Sequence, residues 1–195
     1  VKNNEYRVGL TPDSVKVLID DSHQVFVEID AGTEIGFTND DYKNAGAVLL
    51  DTPEDLYESS ELIVKVKEPI QEEFKYLSNQ HTVFAYLHLA GDPKTALELT
   101  STGVTGIALE TVTAENGSMP LLSPMSAIAG QLSIVVGSYH LLKPNKGMGT
   151  LIGSFKEIKP RVVTVIGAGV AGTEAIDKAI ANKSHVKIID LSEKR

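Results

Sequence analysis

The side chains best placed to do chemistry in this sequence are cations set where apolar runs end. Lys67 closes the run Leu62–Val66, and His88 closes Thr82–Leu87. If both runs are parallel strands, these residues stand at carboxyl ends, where open α/β sheets place their ligands. A lysine there can pair with a carboxylate or polarise a carbonyl, and a histidine can move protons near neutral pH. Read singly, Lys67 is equally a solvated strand end and His88 a hydrogen-bonded edge histidine. Arg7, in a charged segment ahead of the first helix, reads by itself as a surface arginine. His23, His81, His140 and His185 fall at turns or on a long helix and read as structural or exposed. No Ser-His-Asp arrangement or H-x-x-x-H pattern is present, so no metal site is expected.

The second constellation is Gly167-Ala168-Gly169-Val170-Ala171-Gly172, a G-x-G-x-x-G run directly after Val162-Val163-Thr164-Val165-Ile166. The first glycine permits a tight turn, the second lets backbone approach a pyrophosphate, and the third lets helix and strand pack closely. The helix that follows, Val170 to Asn182, offers amide donors and a favourable dipole at its start. A second strand, His185 to Ile189, ends in Asp190, 18 residues beyond Gly172. A carboxylate at that place accepts ribose hydroxyls, so the unit reads as the opening βαβ of a Rossmann domain binding NAD. No arginine directly follows Asp190, which favours NAD over NADP. Arg195 is a candidate adenosine-side contact, with a terminal surface arginine as the alternative.

The elements that must position these residues alternate between strand and helix, so the class is α/β. Thr11-Pro12, Thr52-Pro53 and Asp92-Pro93 each put a capping residue before a proline at the first helical position. Between the helices, Gln24–Ile29, Leu62–Val66, Thr82–Leu87 and Thr105–Leu109 are apolar or β-branched runs, as expected of mostly parallel strands buried on both faces. A long helix is expected from Pro124 to about Leu142, and Lys143–Pro160 reads as a loop or hairpin insertion. The expected division is a substrate domain over 1–123, then an interdomain helix and the start of the nucleotide domain over 124–195.

Composition limits the alternatives. A formal charge of −8 argues against nucleic acid as a partner. There is no cysteine, which removes disulfides and thiolate chemistry. Asn116 to Leu142 runs 27 residues without a charge, long enough to test as a membrane span. Pro124, Gln131, His140 and several serines make a buried helix the better reading, so no membrane partner is expected. Val1-Lys2-Asn3-Asn4 has no apolar signal-like region, and a cytoplasmic location is expected.

Lys2-Asn3-Asn4-Glu5-Tyr6-Arg7-Val8-Gly9-Leu10-Thr11-Pro12, Lys65-Val66-Lys67-Glu68-Pro69, Tyr86-Leu87-His88-Leu89-Ala90, Glu110-Thr111-Val112 and Pro120-Leu121-Leu122-Ser123-Pro124-Met125-Ser126 resemble the alanine dehydrogenase family in order and spacing. The resemblance runs over essentially the whole chain. It implies an NAD-dependent enzyme interconverting L-alanine with pyruvate and ammonium, a homohexamer when intact. By the same resemblance Arg7 and Lys67 hold the substrate carboxylate and carbonyl, His88 is the acid/base group, and Ser126 contacts the dinucleotide. The family usually has an acidic residue at Ala127, an arginine at Gln131 and Gly-Gly-Arg-Gly near Asn145–Gly149. It also begins one strand before Lys2 and continues well past Arg195, so an N-terminal portion is expected, lacking the rest of the nicotinamide pocket. The related transhydrogenase α subunit shares the arginine segment but not the Pro-Leu-Leu-x-Pro-Met-Ser run. It is the second reading, and an inactive remnant is the third.

Overall fold

Helices in this chain begin where a short polar side chain can take up an orphan backbone amide. In the computed structural model, which describes residues 3–192, Thr11 caps α1 (Pro12–Asp20) by accepting from the Ser14 amide. Thr38 and Asp41 form a reciprocal capping box on α2 (Asn39–Asn44). Thr52 and Asp92 cap α3 (Pro53–Glu58) and α4 (Pro93–Ser101) through the amides of Asp55 and Thr95. All three proline-marked starts are therefore helix starts. The fourth, at α2, has no proline and was not marked in the sequence.

The chain divides into two compact units between Thr111 and Val112. In the first, β1 (Phe26–Glu28) pairs in parallel with β2 (Val48–Leu50). A separate parallel sheet runs β3 (Leu62–Lys67), β4 (Thr82–Tyr86) and β5 (Thr105–Ala108), with β4 central. β1 is shorter than the run Gln24–Ile29, and β2 is too short for its pattern to signal a strand. β4 shows why the parallel assignment holds: Val83, Ala85 and Leu87 are buried, while Thr82, Phe84 and Tyr86 between them are half-buried, so both faces are covered. Ile63, Val83, Leu99 and Tyr57 belong to the core around this sheet, and Val15, Val25, Tyr42 and Ala47 form a second cluster. His81 is buried as a structural group. Its Nδ1 accepts from the Ser78 amide at 3.0 Å, which leaves Nε2 to donate to the Tyr57 carbonyl at 3.0 Å. His23, His140 and His185 are exposed.

In the second unit, α5 (Ser123–His140), β6 (Val162–Ile166), α6 (Val170–Ala181) and β7 (His185–Ile189) follow the expected order. β6 and β7 pair in parallel over their whole length. The stretch before β6 is irregular, with a short 3₁₀ turn at Lys143–Asn145 and a tight antiparallel bridge between Phe155 and Ile158. Ile134, Ala175 and Ala179 form the core, with Val163 and Val186 packed against it. Burial on both faces, expected of the runs in the first unit, fails in β5, where Thr105, Gly106 and Ile107 are exposed, and does not extend to the β6-β7 pair. Ile166 is 82% exposed and Ile189 56%, because the pair is covered on one face only. Among the described residues no helix is long and apolar enough to cross a membrane.

Candidate active site

Lys67 reaches its place through a β-bulge. Val64 pairs with Phe84 but Lys67 pairs with Tyr86, so Lys65 and Val66 together face one residue of β4. A bulge re-aims the side chains that follow it, and here it sets Lys67 opposite Tyr86 at the end of the sheet. Lys65 turns instead into a mostly buried ion pair with Glu73, which also accepts the Ile70 amide at 2.8 Å. Burial pushes the Glu73 carboxyl up, but the Lys65 ammonium and the Ile70 amide outweigh it and hold the group below the usual carboxylate range.

Arg7 is brought over the same sheet by the segment ahead of α1. At Gly9 a Cβ would lie 2.8 Å from the Val64 carbonyl oxygen, so glycine lets the segment press against β3. The Arg7 guanidinium grips Glu5 with both arms, Nε to Oε1 at 2.7 Å and Nη2 to Oε2 at 2.5 Å. Glu5 is the buried member, its side chain 9% exposed against 44% for Arg7. The Arg7 hydrogen bonds hold the Glu5 carboxyl low, and the positive charge of Lys67 adds to this. Both cations thus act on one carboxylate. Arg7 is in turn raised, chiefly by Glu5.

His88 follows β4 with its backbone in the left-handed region, φ 49°, at the start of the 3₁₀ turn Leu89–Gly91. Its ring stacks on Tyr86 at a centroid distance of 6.3 Å and 18° between planes. The Glu110 carboxylate accepts from the His88 amide at 2.7 Å and from the Leu87 amide at 3.2 Å. Lys67 and His88 therefore stand at the carboxyl-end edge of β3-β4, as expected of residues at parallel strand ends, and Arg7, which by itself reads as a surface arginine, lies near them through Glu5 and Tyr86. Glu5, Tyr86 and Glu110 stand at the same edge, though their types and positions had not marked them as site residues. Glu110 follows β5 as His88 follows β4, so the same rule of polar residues at strand ends would have found it. Such an edge offers fixed cations to a small carboxylate and an exposed imidazole beside them to exchange a proton.

The glycine turn lies in the second unit. Gly167 has φ 92°, and a Cβ on Gly172 would lie 1.8 Å from the Gly167 carbonyl oxygen, so a side chain at either position opposes this turn. No side chain caps the start of α6. Ser126 and Gly130 of α5 face an open cleft of about 870 Å³ that is also lined by Gly167, Gly169, Val170, Ala171 and Gly172. The Asp190 carboxylate takes the Ala168 amide at 2.6 Å through Oδ2 and the Ser192 amide at 2.7 Å through Oδ1. It is therefore tied to the turn itself. These features fit a dinucleotide phosphate: close-approaching backbone, uncapped amides and a neighbouring hydroxyl. Arg195 lies outside the described residues, and among the described residues no group of three or more histidine, aspartate or glutamate side chains could hold a metal.

Two family models match the chain: "Alanine dehydrogenase/PNT, N-terminal domain" over residues 1–129 and "Alanine dehydrogenase/PNT, C-terminal domain" over 133–195. The alanine dehydrogenase of Mycolicibacterium smegmatis is 42% identical over 192 residues, covering 98% of this chain and 52% of the relative. That of Bacillus subtilis is 43% identical over 195 residues, covering 100% and 51%. A solved L-alanine dehydrogenase superposes with a TM-score of 0.89 at 42% identity, over 100% of this chain and 54% of the other. A solved transhydrogenase from Sinorhizobium meliloti gives 0.78 at 25% identity, over 99% and 57%. The chain spans about half the length of the relatives it matches. The family expected from the Arg7, Lys67, His88 and Ser126 segments is thus the one found, and the chain belongs to the alanine dehydrogenase/PNT family.

Proposed function

We propose that this chain carries the carboxylate-binding and proton-transferring residues of an enzyme that oxidatively deaminates L-alanine to pyruvate and ammonium, and runs the reverse reaction, with NAD. The single observation that carries the reading is the grouping of Arg7, Lys67 and His88 around one sheet edge. Arg7 binds the substrate carboxylate, which joins or displaces part of its pairing with Glu5. Lys67 meets the α-carbon's oxygen or nitrogen substituent and stabilises negative charge there. His88, exposed beside them, gives and takes the proton as the imine is hydrolysed or formed.

Gly167, Gly169, Val170, Ala171 and Gly172 would hold the NAD pyrophosphate, with Ser126 beside it and Asp190 on the adenosine ribose. NAD supplies the hydride acceptor for the Cα hydrogen. The reading extends to a cytoplasmic homo-oligomer, hexameric when intact, as the family resemblance implies. The test is to give a protein of the relatives' length L-alanine and NAD and follow NADH. Steady NADH formation supports the dehydrogenase. Hydride exchange between two nucleotides without any use of alanine would instead support the transhydrogenase reading.

A further inference from the structure

The ladder between β4 and β5 ends at Ala85 and Ala108, yet the main chain continues straight into His88. A side chain completes what the strands do not. The Glu110 carboxylate receives the amides of both Leu87 and His88, from 22 residues away in the case of His88. Its side chain is only 17% exposed, whereas that of His88 is 52% exposed. Leu87 is buried in the core at 2% exposure, so the clamp is seated on fixed ground.

His88 needs such a clamp. A non-glycine residue with φ 49° is strained and keeps that shape only where its surroundings dictate it. The 3.9 Å from His88 Nδ1 to Glu110 Oε1 is too long for a hydrogen bond. Apart from the ion pair that this distance allows to a protonated ring, the carboxylate acts on the imidazole through the backbone, by fixing the direction of the Cα–Cβ bond that carries it over Tyr86. Resting on the role proposed above for His88, we infer that Glu110 is the positioning residue for the His88 imidazole: its two amide bonds hold the left-handed turn that aims the ring at the substrate.

The experiment uses a protein of the relatives' length, with Glu110→Gln, His88→Ala and the double variant, measuring kcat and KM for L-alanine and pyruvate. A glutamine can accept one amide but turns its NH₂ toward the other, so the clamp is broken with little change of volume. The expected result is a fall in kcat of about 10- to 10²-fold, with KM nearly unchanged because Arg7 and Lys67 remain. In the His88→Ala background the same change should cost almost nothing further, since the ring it aims is gone. An equal loss in both backgrounds would overturn the inference, because Glu110 would then act independently of His88. An inactive His88→Ala beside a fully active Glu110→Gln would overturn it while leaving the proposed function standing; full turnover in His88→Ala would overturn both. If Glu110→Gln folds poorly, the comparison is repeated with Glu110→Asp, which keeps the charge but shortens the reach, and the same outcomes decide.

Discussion

At the scale of single residues, the cations at the sheet edge should fail in different ways. On the roles proposed above, Lys67→Ala in a protein of the relatives' length would remove a charged partner of the substrate and should raise KM for pyruvate about 10- to 10²-fold. His88→Ala removes proton transfer and should lower kcat by ~10²–10⁴-fold. Steady-state kinetics on both variants checks this, and near-normal turnover in both would remove these residues from the site. On the role proposed for Asp190, cofactor choice should depend on it in the same way, since a carboxylate accepts ribose hydroxyls and repels a 2′-phosphate. Asp190→Ala should narrow the preference for NAD over NADP, read as a smaller ratio of kcat/KM. That substitution also removes the acceptor of the Ala168 amide, so a weakened affinity for both cofactors should accompany the narrowed ratio. Lys67, His88 and the glycines were legible because each interrupts a pattern, a charge or a glycine where an apolar run should continue. Glu5 was not, because an acid in a charged segment looks like ordinary solvated surface until its partner is known, whereas Glu110, two residues past β5, falls under the same strand-end rule as His88.

At the scale of elements, caps and parallel strands could be read locally, whereas the bulge in β3 and the strand β2 could not. A bulge shows only when the partner strand supplies the register, and three residues of β2 carry too little periodicity to separate from a loop. The packing of α5 against α6 also escapes the sequence. A Cβ on Gly130 would lie 2.1 Å from the Ala171 carbonyl oxygen, while one on Gly137 would meet nothing within 4 Å. Gly137→Ala should therefore stabilise the protein by roughly 0.5–1 kcal/mol through helix propensity. Gly130→Ala should destabilise it by about 1–3 kcal/mol through forced separation of the helices. Denaturant unfolding of the two variants, one moved in each direction, is the check.

The turn after β3 adds a pH dependence. Folding lowers the Glu73 carboxyl below its usual value, so the stability this contributes is present above the unfolded value, about 4.3. It is lost as pH falls through the lower folded value. Melting curves between pH 3 and 7 should show wild type losing stability with acid more steeply than Glu73→Gln. Parallel curves would mean that the Lys65 pair contributes nothing through this linkage.

At the scale of the whole molecule, the exposed face of β6-β7, with Val162, Ile166 and Ile189 each more than half exposed, has a direct consequence for the 195-residue chain taken alone. It should self-associate, bind NAD weakly and make no NADH from L-alanine. Sedimentation, calorimetry and an NADH assay on this chain test the three expectations together, and micromolar NAD binding with turnover would contradict them. The contact of Gly130 with the start of α6, and the 2.8 Å hydrogen bond from Gln131 to Glu174, also bear on motion. They lock the helix that bears Ser126 to the helix that opens at the glycine turn. Kinematically these two helices should then behave as one lever: if the cleft takes a nucleotide as proposed, Ser126 and Gly167 should travel together as it enters or leaves, with the flexing taken up by chain outside that pair.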